Sequence, residues 1–245
     1  MKNYFSFDTE SAGLFGPPFA VGWVVVDKHG AELEEGYLAC PLTTTAPAND
    51  LRWVQEHVLP TLPIFQNEGL PSYANCENLL TLMDRFWGAW LEAKQKYENL
   101  TMVTDCPFPV EAAFLLGVAV RQKLTVNTSP YPILDVASVL FTADRDPLGA
   151  GERKESEHPP HNPVNDARQS VRLLVETLNA LRYRDAAHLP GVYLPGPIGG
   201  PINAAGTITS YDSGWCSSTD TLSAETYTEA PADLIAAFKK DGEDD

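Results

Sequence analysis

Two hydrophobic periods alternate along the first 186 residues, and the switches between them divide the chain into elements. Residues 3–8 (Asn-Tyr-Phe-Ser-Phe-Asp) and 19–27 (Phe-Ala-Val-Gly-Trp-Val-Val-Val-Asp) are rich in aromatic and β-branched side chains and predict strands, parted by a Gly/Pro turn at 13–18. Asp27-Lys28-His29-Gly30 is a turn signal, after which Glu32 to Cys40 predicts a third strand, so the chain opens as an antiparallel meander. Residues 50–59 predict a short helix stopped at Pro60. From Glu77 to Tyr97 the positions Leu79, Leu80, Met83, Phe86, Trp87, Trp90 and Leu91 recur at helical spacing, which predicts a longer helix with both tryptophans turned to the core. Leu100 to Asp105 predicts a fourth strand. Pro109 to Arg121 predicts a helix whose first turn suits Pro109 and Glu111. Ile133 to Asp135 predicts a short fifth strand leading into a helical turn. A polar loop with Gly and Pro fills 141–160, and Asn165 to Arg184 predicts a helix with Val171, Leu174, Val175, Leu178 and Leu181 inward.

Three antiparallel strands followed by helix, strand, helix, strand and helix give an α/β fold, a mixed five-stranded sheet flanked by helices in the ribonuclease H-like order. The domain is expected to span residues 1–186. Residues 187–245, dominated by Pro, Gly, Ser and Thr and ending in Asp-Gly-Glu-Asp-Asp, are expected to form an extended or partly disordered acidic arm, with one short helix over Ala230 to Lys240.

Composition narrows the function. With 245 residues and 44% hydrophobic content the chain can bury one sizeable core. No apolar run reaches the roughly 18 residues needed to span a bilayer, and the first residues lack the form of a signal peptide, so a cytoplasmic protein without a membrane partner is expected. Cys40, Cys76, Cys106 and Cys216 lie far apart with no CxxC, which argues against disulfides and a Cys-rich zinc site. The net charge of −16 excludes a general nucleic-acid coat, because Lys and Arg on phosphates dominate such binding. Nine Asp/Glu and two Lys fall in residues 187–245, yet the remainder is still acidic by nine. An enzyme that grips a few nucleotides through bound cations needs far less basic surface, so short substrates are expected.

The candidate chemistry lies in two acidic segments. Asp8 and Glu10 are two apart on a strand, so their side chains leave on one face and can share a hard cation. His161-Asn162-Pro163-Val164-Asn165-Asp166-Ala167 sets a histidine five residues before an acid at the start of a helix. Exposed acids and a helix-capping Asp166 are the plain alternatives. A mobile loop carrying His161 also suits a base that moves in with substrate, since histidine titrates in the useful range. His158 and His161 form His-x-x-His, but the intervening prolines argue against a zinc pair.

Asp8-Thr9-Glu10 with Gly13 following, and His161-x4-Asp166-Ala167, resemble the first and third motifs of the DEDDh exonucleases, which include proofreading subunits, oligoribonucleases and RNase T-like enzymes. The resemblance covers roughly residues 3–184. It implies metal ligation by Asp8, Glu10 and Asp166, with His161 as general base, and it places Thr9, Leu14 and Phe15 against substrate. Leu14 and Phe15 resemble the family's apolar wedge beneath the terminal base, with turn packing as the other reading. Ile133-Leu134-Asp135 resembles a segment between the second and third motifs, with Asp135 as structural support.

The second motif departs from the pattern His-Asn-x-x-Phe-Asp-x-x-Phe-Leu. Here the chain reads Thr104-Asp105-Cys106-Pro107-Phe108-Pro109-Val110-Glu111-Ala112-Ala113-Phe114-Leu115. Glu111 holds the motif register and Asp105 the strand end, and either acid is a candidate ligand. Arg145, Arg153 and Lys154 precede His161 as a solvated loop or as phosphate contacts.

The resemblance therefore implies a 3′–5′ exonuclease that hydrolyses single-stranded RNA or DNA, or short oligonucleotides, to nucleoside 5′-monophosphates with two Mg²⁺ or Mn²⁺ ions. Many members of the family dimerise, so a homodimer is among the expectations. The alternatives are a catalytically impaired ribonuclease H-like module that binds nucleic acid or a partner, and an enzyme acting on a nucleotide-linked small molecule.

Overall fold

The computed structural model describes residues 2–43, 46–66, 69–125, 128–149 and 153–187. The expectations for 188–245, including the helix over Ala230 to Lys240, lie outside the described residues. The sheet order is β3-β2-β1-β4-β5, with β1 (Asn3–Ser11) central, β2 (Pro18–Asp27) and β3 (Glu32–Ala39) antiparallel on one side, and β4 (Leu100–Thr104) and β5 (Leu134–Asp135) parallel on the other. The expected mixed five-stranded sheet is thus the one found.

Alternation along β1 divides the interior in two. Phe5 and Phe7 face one core with Trp23, Phe86, Trp90 and Phe114, under α2 (Leu79–Lys96) and α3 (Val110–Arg121). Phe5 stacks on Trp23 and meets Trp90 edge to face, so this side is an aromatic cluster. Tyr4 points the other way, into a smaller core with Val24, Val26, Val103, Val171 and Leu174, under α4 (Val136–Thr142) and α5 (Pro163–Ala187). Both Trp87 and Trp90 are buried, as the helical stripe predicts.

Among the boundaries that differ from the sequence expectation, three bear on the site. β1 continues to Ser11 because its pairing with β2 persists through Glu10, whereas its parallel pairing with β4 stops at Ser6. Asp8 and Glu10 therefore project beyond the last rung shared with β4. The second is α5, which begins at Pro163, not Asn165, since Asn162 caps it: the Asn162 side-chain oxygen accepts from Val164 N–H at 3.1 Å and Asn165 N–H at 3.4 Å. Asp166 is thus not the cap. Finally, α1 (Ala48–His57) starts two residues early, and a short 3-10 turn over Leu59–Thr61 follows it.

Candidate active site

Gly22 decides how closely α5 approaches the sheet. It pairs with Asp8 across the β1–β2 ladder, and a β-carbon there would lie 2.3 Å from Val164 N and 2.5 Å from the Pro163 carbonyl carbon. Only a bare backbone admits this approach. It brings the first turn of α5, and Asp166 with it, onto the face from which Asp8 and Glu10 project.

Five acids from four segments converge there. Asp8 and Glu10 come from β1, Asp105 from the residue after β4, Glu111 from the first turn of α3, and Asp166 from the first turn of α5. Burial first, then the charge of Asp166, then Glu10, Glu111 and Asp105, push the Asp8 carboxyl well above its ordinary range. Burial followed by Asp166 and Glu111 does the same to Glu10. Asp105 is pushed up to about 6 by burial, Asp135 and Asp166, against the opposing pull of Arg153. Burial pushes Glu111 up to about 7, although its side chain accepts the Thr9 backbone N–H at 3.2 Å. Both second-motif candidates thus belong to the cluster: Asp105 lines the cavity, and Glu111 accepts the Thr9 N–H of β1.

His161 and Asp166 are held through the main chain. The His161 backbone N–H donates to Asp166 Oδ2 at 2.9 Å, and the His161 carbonyl accepts from the Thr61 hydroxyl at 2.7 Å. Its φ of 61° places it in the left-handed region. The imidazole meets the edge of Trp53 on α1 at 5.0 Å between ring centroids, and Trp53 in turn stacks on His57 at 5.1 Å. One ligand atom each from Glu10, His161 and Asp166 lie within 4.8 Å of one another.

The loop before His161 is anchored, not loose as its composition suggests. Glu157 is 1% exposed, and Arg172 of α5 grips both its carboxylate oxygens, at 2.5 and 2.9 Å. Of the three basic loop residues, Arg145 turns to the Thr177 hydroxyl and Lys154 to Glu176. Arg153 enters the site: its Nη1 donates to Asp166 Oδ1 at 2.6 Å and to the Glu157 carbonyl at 2.7 Å. Together with Asp8, Asp105, His158 and Asp166 it lines a cavity of about 410 Å³.

Thr9 is buried, with its N–H committed to Glu111, while Leu14 and Phe15 project from the β1–β2 turn, 60% and 77% exposed. Turn packing therefore does not describe that pair. Asp135 accepts the Ser138 hydroxyl just ahead of α4, and its other carboxylate oxygen is buried without a hydrogen-bond partner. Sequence reasoning missed Gly22, Asn162 and Trp53. Only Asn162-Pro163 carried a readable signal, that of a cap followed by an N1 proline.

Sheet order and site together define a ribonuclease H-like α/β protein with an acidic cluster beyond the carboxyl end of β4. No family model and no curated protein matches the chain. Solved structures do. Pop2p of S. pombe, in its Mg²⁺- and Mn²⁺-bound form, is 12% identical with a TM-score of 0.53, over 74% of this chain and 84% of that one. E. coli exonuclease I in complex with a dA16 oligonucleotide is 12% identical with a TM-score of 0.51, over 76% of this chain and 43% of that one. The chain therefore spans less than half of exonuclease I. These likenesses establish the ribonuclease H-like fold. Among the described residues no helix is long and apolar enough to cross a membrane.

Proposed function

We propose that the protein is a metal-dependent 3′–5′ exonuclease acting on single-stranded RNA or DNA, with short oligonucleotides as its best substrates. The observation that carries this reading is the convergence of Asp8, Glu10, Asp105, Glu111 and Asp166 beside His161. The donor set fits hard divalent cations: five carboxylates crowd together, and burial lifts Asp105 and Asp166 although Arg153 opposes the shift in both. Asp8, Glu10 and Asp166 would hold Mg²⁺ or Mn²⁺, with Asp105 and Glu111 as the second-motif contribution. Two such ions supply positive charge that acidifies water and offsets the charge of the attacked phosphate.

The protein's own groups do the rest. His161, its backbone tied on both sides, accepts the proton of the attacking water at a ring nitrogen. The exposed Leu14 and Phe15 offer apolar surface to a terminal base. The acidity of the chain supports a few-nucleotide substrate over a long duplex. The order and spacing of the first and third motifs support the 3′ direction, while the likenesses to Pop2p with its bound ions and to exonuclease I with its oligonucleotide support divalent metals and an oligonucleotide substrate.

The test is digestion of 5′-labelled single-stranded RNA and DNA with Mn²⁺, resolved on a gel beside EDTA and His161→Asn controls. A metal-dependent ladder shortening from the 3′ end, lost in both controls, is the expected result. Intact strands over a range of metals, with the protein folded, would leave the impaired binding module as the better account.

A further inference from the structure

Among the described residues lining the acidic cavity, Arg153 is the one Lys or Arg. Its side chain is partly buried, 18% exposed against 17% for the Asp166 side chain it holds. Two acceptors fix it, Asp166 Oδ1 at 2.6 Å and the Glu157 carbonyl at 2.7 Å. The second acceptor is itself immobile, since Glu157 is clamped by Arg172 and its carboxylate also takes the Lys154 N–H at 2.8 Å. Asp166 meanwhile gives its other oxygen to the His161 N–H. Both oxygens of a carboxylate that would ligate a cation are thus engaged, one of them by a fixed positive charge.

A guanidinium and a divalent ion compete for the same oxygen lone pairs, and an acidic pocket gains from one cation in either form. Once its carboxylate partner is taken, Arg153 keeps its anchor at the Glu157 carbonyl and has donors left over at the cavity, in the fork geometry that matches phosphate. We propose that Arg153 is an exchangeable cation: it holds Asp166 while the cavity contains no metal, gives that carboxylate up to the incoming ion, and passes to a phosphate of the bound nucleotide. The proposal rests on the exonuclease reading, because it presumes that Asp166 ligates a metal.

The test measures binding, not turnover. Calorimetry with Mn²⁺ alone, on the wild-type protein, Arg153→Gln and Arg153→Lys, reads the exchange. A nucleoside 5′-monophosphate titrated at saturating Mn²⁺ reads the transfer. Removing a charged hydrogen bond should make Mn²⁺ bind about tenfold tighter to Arg153→Gln and the monophosphate about tenfold weaker. Arg153→Lys keeps the charge but loses the planar fork, so it should move both constants the same way by less. It also serves if the glutamine variant does not fold. Mn²⁺ affinity unchanged or weakened in the variants would show that Arg153 merely orients Asp166 and would overturn the proposal, as would unchanged monophosphate affinity. Wild-type protein that binds no Mn²⁺ would instead remove the exonuclease reading, and this proposal with it.

Discussion

Alanine at Gly22 probes how closely α5 must approach the sheet. The added β-carbon would sit 2.3 Å from Val164 N, 2.5 Å from the Pro163 carbonyl carbon and 2.9 Å from its oxygen, all of them backbone atoms that no rotamer change can move. Ordinary contact begins near 3.4 Å, so the first turn of α5 has to retreat by about 1 Å. Overpacking of this kind costs about 1–3 kcal/mol, or a fall of roughly 2–12 °C in melting temperature for a chain of this size. The same retreat draws Asp166 away from Asp8, and a displacement of about 1 Å in a catalytic frame can cost about a hundredfold in rate. Gly88 is the control. It lies inside α2 with nothing within 4 Å of its would-be β-carbon, so Gly88→Ala should stabilise by up to about 1 kcal/mol through helix propensity. Thermal melts and Mn²⁺ calorimetry on both variants check the reasoning. If Gly22→Ala melts and binds Mn²⁺ as the wild type does, the close approach of α5 is not what positions Asp166.

Further outcomes follow from the same geometry. Asp105 and Glu111 rise from ordinary values of 3.8 and 4.5 to about 6 and about 7, so the folded state holds their protons more tightly than the unfolded chain does. Stability of the metal-free protein should therefore be fullest below about pH 4 on their account and fall as pH rises through 7, by up to about 3 kcal/mol for each acid. Melts at pH 5.5 and pH 8 check the sign, and a higher melting temperature at pH 8 would contradict it. Arg172→Ala leaves the buried Glu157 carboxylate without its partner and should cost about 3–5 kcal/mol, measured by urea unfolding; Glu157→Gln should cost less. Trp53→Ala removes the ring edge against His161 and should slow cleavage by up to about tenfold while Mn²⁺ affinity stays within about twofold. A proportionate loss of metal binding would assign Trp53 to the scaffold instead.

Strand and helix order was legible because the two hydrophobic periods are local, and the pairs Asp8/Glu10 and His161/Asp166 stood out because each lies within one short segment. What sequence could not supply were the contacts between distant segments. Nothing in Val21-Gly22-Trp23 announces that α5 presses there, since the contact joins positions separated by most of the domain. Arg153 looked like one more solvated loop charge, and only the burial of Glu157 fixes the loop that aims it. Glu111 and Asp105 could not be separated by spacing. In the structure both reach the cluster, Glu111 by way of the Thr9 N–H and Asp105 from the end of β4.

The way His161 is tethered makes its position open to exchange. The bonds that hold the residue to Asp166 and Thr61 run through its own amide and carbonyl, which every residue but proline possesses, so these hydrogen bonds ask nothing of the imidazole. It does ask for tolerance of φ 61°, which Asn, Asp and Gly meet readily and which Val, Ile or Thr would strain. His161→Asn therefore separates loss of the proposed proton acceptor from loss of the loop more cleanly than alanine does. The same position can therefore take a side chain of different basicity without its backbone anchors being rebuilt.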